Sequence, residues 1–178
     1  MKITLKDGSV LEYEQAKSAA DITKDISMGL FRNATCCKIN GTVKDLRTVI
    51  DADSTLEILT FDDKDGRRAF NHTASHIMAQ AVKRLYPDAK LTIGPAIDDG
   101  FYYDFDVENS FSPADLEKIE AEMKKIVKEN PEIERFELPV DEAIALMTEK
   151  NEPYKIELIK EHAEKGEAIS FYRQGEFT

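Results

Sequence analysis

Apolar positions change their spacing once along this chain, near residue 62. Before that point they come in short alternating runs. "KITL" and "VLEYE" flank "KDGS", whose Asp7-Gly8 predicts a tight two-residue hairpin turn. "SAADITKDIS" follows, with Ala19, Ile22 and Ile26 at helical spacing. Short strands are expected at "CCKING" and "TLEILTF", with Asn40-Gly41 as a second turn signal. The stretch "DDKDGRR" (62–68) is charged and holds a single glycine, so it reads as an exposed linker.

A hairpin, a helix and two or three further strands make a β-grasp-like order for residues 1–62. In residues 63–178 the spacing is mostly helical. Ala74, Ile77, Met78, Ala81, Val82 and Leu85 form an amphipathic stripe. "KLTIGPAI" and "FYYDFDV", joined by "DDG", read as a hairpin. In "SPADLEKIEAEMKKIVKEN", Ser112 is the expected N-cap, Pro113 the first helical residue and Asp115 the partner in a capping box. "IERFELPV" reads as a strand, "VDEAIALMTEK" and "EPYKIELIKEHAEK" as helices, and "AISFYRQ" as a last strand. The fold class is α+β, without repeats.

Composition narrows the setting. An apolar content of 42% over 178 residues suits a packed core, and no apolar run approaches the ~20 residues of a membrane span. The polar, alternating N-terminus is unlike a signal peptide. Cys36 and Cys37 are adjacent and have no third cysteine to pair with, which fits a reduced cytoplasmic protein without a membrane role. A net charge of −11 argues against a free-standing nucleic-acid binder, because neutralising phosphates supplies most of such affinity.

The candidate chemistry starts from "NHTASHIMAQAV". His72 and His76, four residues apart, fall nearly opposite the centre of the apolar stripe, on the side of Ala79 and Lys83. A solvated surface and a site lining both fit that placement. A metalloprotease pair needs Glu directly after the first His, and here Thr73 stands there. Two histidines alone leave zinc short of its usual ligand number, so no metal is expected. Gly94-Pro95 breaks the first hairpin strand, as happens where a ligand approaches the backbone closely. The bland alternative is a bulged strand packing Phe101, Tyr103 and Phe105 inward. Lys155, just after Pro153, reads by itself as a surface lysine at a helix start.

Taken together these stretches resemble a known family. "ITLKDGSVLEYE" with "KINGTVKDL" resembles the TGS domain, a ubiquitin-like β-grasp module. "NHTASHIMAQAVKRLYPDAKLTIGPAIDDGFYYDF", continuing through "EPYKIELI", resembles the editing domain of threonyl-tRNA synthetases. The resemblance implies a TGS domain over 1–62 and most of an editing domain over 63–178. It implies catalytic roles for His72, His76 and Lys155, and pocket-shaping roles for Gly94 and Tyr103. The implied substrate is the ester between a misattached serine and the 3′ end of a threonine-accepting tRNA. The family's Cys-x-x-x-His motif, beyond a strand like "ISFYRQGEFT", is absent here, as are the domains that use ATP, magnesium and zinc and that dimerise. This portion therefore implies no cofactor of its own and, as a truncated catalyst, weak activity. Two rivals are a TGS-type regulatory or binding module without chemistry and a free-standing trans-editing hydrolase.

Overall fold

The computed structural model describes residues 1–94, 96–97 and 100–178. They divide into two compact units, one built mainly on residues 1–73 and the other on residues 74–94 and 101–178.

In the first unit, β1 (Lys2–Leu5) and β2 (Val10–Glu12) form the expected hairpin, with Ile3 opposite Leu11. Its loop has three residues rather than two. Leu5 N–H donates to Ser9 O and Gly8 N–H to Leu5 O, and Gly8 takes φ +86°. A turn closed by a left-handed glycine is the usual three-residue solution. After β3 (Lys17–Ser18) come α1 (Ala19–Ile26) and α2 (Met28–Asn33), capped by Ser18 and Ser27 respectively. The helix α2 was not expected from the spacing. β4 (Ala34–Ile39) turns at Asn40-Gly41, both at positive φ, into β5 (Thr42–Lys44). β6 (Val49–Ile50) pairs with β3, and β7 (Ser54–Thr60) enters the main sheet.

That sheet runs in the order β2-β1-β7-β4-β5, with β1 and β7 parallel and the other pairs antiparallel. Ala19 and Ile22 of α1 pack on Ile3, Cys37 and Leu56 of the sheet, all fully or almost fully buried. This is the β-grasp arrangement anticipated from the element order.

Residues 64–68 are not an exposed linker. They are the first turns of α3 (Lys64–Leu85). Asp63 accepts from Thr60 N–H at 2.8 Å, and Lys38 of β4 pairs with Asp65 at 2.7 Å. A Cβ on Gly66 would stand 1.9 Å from the carbonyl oxygen of Thr60, so only glycine allows this turn to lie on the end of β7.

The chain goes on through β8 (Lys90–Leu91), β9 (Ala96–Ile97), β10 (Gly100–Phe101) and β11 (Phe105–Asp106). β8 and β11 are antiparallel, and Thr92 and Ile93 extend the pairing to Asp104. Pro95 and the Asp98-Asp99 of the expected loop lie outside the described residues. Exposure alternates from Phe101 to Val107, which turns Phe101, Tyr103 and Phe105 inward.

α4 (Pro113–Glu129) carries the full Ser112/Asp115 capping box. Its Ile119, Met123 and Ile126 pack against Ile77, Met78, Ala81 and Val82, the stripe read from the sequence. β12 (Ile133–Glu137) pairs antiparallel with β13 (Ser170–Gln174). Between them, α5 (Val140–Glu149) and α6 (Pro153–Glu164) share a core of Ala143, Met147 and Ile159. Among the described residues, no helix is long and apolar enough to cross a membrane.

Candidate active site

The histidine side of α3 is packed rather than bare. Ser75, Ala79 and Gln80 are buried as deeply as the apolar stripe, so α3 has a second interior face made of small and polar residues. His72 and His76 are one turn apart beside this face and are partly buried. Burial holds the His72 imidazole below its ordinary pKa, helped by the nearby Arg68 cation. The His76 ring meets Tyr172 and Phe177 edge-on, with centroids 5.7 and 6.1 Å away. Of the two sequence readings for the pair, the solvated surface fails. His162, by contrast, is exposed and pairs with Glu167.

Phe177 connects the histidine helix to the hairpin. Ala79, Leu91 and Phe177 form a small apolar cluster joined by Tyr103 and Phe105. The Tyr103 and Phe105 rings are stacked at 4.8 Å. A Cβ at Gly94 would fall 2.1 Å from the Tyr103 ring. The close approach foreseen at Gly94 is thus real, but the approaching group is this aromatic ring. Burial, and then the charge of Glu152, push the Tyr103 phenol up to about 12, so it remains a hydrogen-bond donor at neutral pH.

Lys155 is not the surface lysine expected from its place at a helix start. It is partly buried in α6, and burial pulls its pKa down against the raising effect of Glu152. Glu152 is the residue that sequence reasoning missed. Its side chain is almost fully enclosed, at 4% exposure. Oε1 accepts from Lys83 Nζ at 2.8 Å and Oε2 from Leu91 N–H at 3.0 Å. A carboxylate directly before a proline-led helix reads as an ordinary helix-start acid, which is why nothing in the pattern singled it out.

Gln80, Lys83, Leu91, Glu152, Glu176 and Phe177 line a cleft of about 340 Å³, together with Arg84 and Lys150. None of the five residues expected from the sequence lines it, although Phe177 of its wall also meets the His76 ring and packs with Tyr103. Its best-placed cations are already engaged. Lys83 donates to Glu152 and to the carbonyls of Pro87 and Ala89 at 2.8–2.9 Å. Arg84 binds Glu122, Glu129 and Glu176 at once. Among the described residues, no three His, Cys, Asp or Glu side chains are grouped to hold a metal ion. Both cysteines are buried in the first unit, and burial raises both thiols, Cys37 to about 12.

Within the second unit the chain offers the partly buried His76 imidazole, the Tyr103 phenol, which burial keeps neutral, and the partly buried Lys155 amine. Such groups can relay protons and stabilise a developing oxyanion.

Comparison with known proteins gives this chemistry a context. Residues 1–60 match the TGS domain family. The threonine–tRNA ligases of Acetivibrio thermocellus and Clostridium perfringens are each 62% identical to the chain over all 178 residues, and that of Clostridium tetani is 61% identical. The chain spans 27–28% of the length of these relatives. Over its whole length, therefore, this chain is a homologue of the threonine–tRNA ligases, and its first 60 residues form a TGS domain.

Proposed function

We propose that residues 63–178 are the editing module of a threonine–tRNA ligase, hydrolysing seryl-tRNA made in error on a threonine-accepting tRNA. The observation that carries the reading is the partial burial of His76, Tyr103 and Lys155 in one unit of a chain whose relatives are threonine–tRNA ligases. A site that accepts threonine rejects serine weakly, because one methyl is worth about 1–3 kcal/mol, and a second hydrolytic site supplies the missing accuracy.

In this reading the α3 histidines flank the ester, and one of them accepts the proton of the attacking water. Neutral imidazole is the competent form, and the lowered pKa of His72 favours it. The Tyr103 phenol shapes the pocket and donates to the developing negative charge. The Lys155 ammonium holds the terminal ribose or orients the water. The first 62 residues are the β-grasp domain and carry none of the groups assigned to this hydrolysis.

The test is hydrolysis of seryl-tRNA and threonyl-tRNA by the ligase polypeptide that carries this chain. His72→Ala or His76→Ala should slow seryl-tRNA hydrolysis by roughly 10²–10⁴-fold. Lys155→Ala should slow it through misplacement of ribose or water. Attachment of threonine should survive all three. Unaltered seryl-tRNA hydrolysis in both histidine variants would sink the reading and favour a module that binds without chemistry.

A further inference from the structure

Glu152 occupies the position before the first turn of α6, where an acidic side chain ordinarily caps its own helix. It does not do so here: it makes no capping bond. The carboxylate instead crosses to Lys83 on α3 and to the backbone of Leu91 on β8. Burying a carboxylate is unfavourable unless both oxygens are satisfied, and these two charge-assisted bonds satisfy them.

The three elements it joins are the ones that carry the candidate groups. Lys83 is seven residues, two helical turns, beyond His76 on the same side of α3. Leu91 leads into the Gly94–Tyr103 contact. Glu152 itself begins the helix of Lys155. The charged and titratable groups facing it are Lys83 from α3, Tyr103 from the hairpin and Lys155 from α6, with Arg84, Lys150 and Glu176 along the same cleft.

We propose that Glu152 is the positioning residue of this site. Through its bonds to Lys83 and Leu91 it holds the histidine helix, the Tyr103 hairpin and the start of the Lys155 helix in one arrangement. The proposal rests on the editing reading above. In support, the Glu152 charge raises the Lys155 pKa against burial and raises that of Tyr103 as well.

Glu152→Gln preserves the shape and the acceptor for Leu91 N–H while removing the charge. In the ligase polypeptide it should slow seryl-tRNA hydrolysis on the order of 10²-fold, mainly in kcat, the usual size of a misplaced catalytic group. Combined with Lys155→Ala it should still slow hydrolysis further, through the loosened bond to Lys83 and α3, but by less than it does alone, because part of its effect passes through Lys155. In the chain itself, the Lys155 ammonium, followed by NMR of dimethylated lysines and assigned with Lys155→Arg, should titrate at lower pH in Glu152→Gln. A merely structural carboxylate would not move that titration.

Lys83→Met is the second variant, for the case that Glu152→Gln does not fold. It releases the carboxylate from α3 without removing its charge, so hydrolysis should slow while Lys155 titrates no lower than in the parent. The proposal is overturned if His76→Ala slows hydrolysis but Glu152→Gln and Lys83→Met do not. It is equally overturned if the Lys155 titration is unmoved in Glu152→Gln. If the histidine variants are also at the parental rate, the editing reading is what fails.

Discussion

Replacing Gly94 by alanine puts a methyl group into space the Tyr103 ring already fills. The new Cβ would stand 2.1, 2.4 and 2.6 Å from Cδ2, Cε2 and Cγ of that ring. Carbon atoms pack at about 3.5–4.0 Å, so the ring must retreat by more than about 1 Å. Behind it, Phe105 is stacked at 4.8 Å with planes 19° apart, and Leu91, Ala79 and Phe177 complete the cluster. With those side chains packed against the ring, overpacking should cost about 1–3 kcal/mol. For a urea dependence of about 1–3 kcal/mol per molar, the unfolding midpoint should fall by roughly 1 M. The chain has no tryptophan, so far-UV circular dichroism is the suitable probe. Tyr103→Ala should remove most of the Gly94→Ala penalty in a double-mutant cycle, because the clash disappears with the ring. A parental midpoint for Gly94→Ala, or the same penalty in both backgrounds, would refute the steric account.

Two further outcomes are expected. The chain by itself should bind tRNA weakly and with a steep loss of affinity on adding salt, given its net charge of −11; submicromolar binding that ignores salt in a titration would contradict this. The second concerns acid stability. The Arg84 hydrogen bond is the largest cause holding the Glu176 carboxyl at about 2, below its ordinary 4.5. A depressed carboxylate stabilises the fold above its unfolded pKa, and that contribution is lost as pH falls from about 4.5 to about 2. Arg84→Gln should therefore lose less stability than the parent between pH 5 and pH 2 when urea midpoints are compared, and equal losses would show that the pair is inert.

Most of the fold was legible because its signals are local. The apolar stripe of α3 and the Ser112/Asp115 capping box are set by residues within a turn or two of each other. The Asn40-Gly41 hairpin formed with two residues in the loop, whereas Asp7-Gly8 did not. The dipeptide marks a left-handed residue, but the strand register decides how many residues share the turn. The charged run 62–68 misled for a related reason. Its polarity suggested solvent, yet Asp63 and Asp65 spend their charges on Thr60 and Lys38, and Gly66 is there to let the helix touch β7.

The site was legible only in part, since its remaining logic is long-range. His72 and His76 stood out because four-residue spacing shows in sequence, and Gly94 because a glycine in a strand asks for an explanation. Nothing local connects Glu152 to Leu91, 61 positions away, or to Lys83. Nor could the sequence reveal that Lys155 is partly buried, because a lysine at a proline-led helix start looks the same whether solvent or protein covers it. The helix periodicity placed the histidines opposite the apolar stripe and so suggested one buried face. Ser75, Ala79 and Gln80 make a second one. Small and polar residues escape a hydrophobicity criterion, so a packed face built from Ser75, Ala79 and Gln80 leaves no apolar signal in the sequence although it is as deeply buried as the leucine-rich kind.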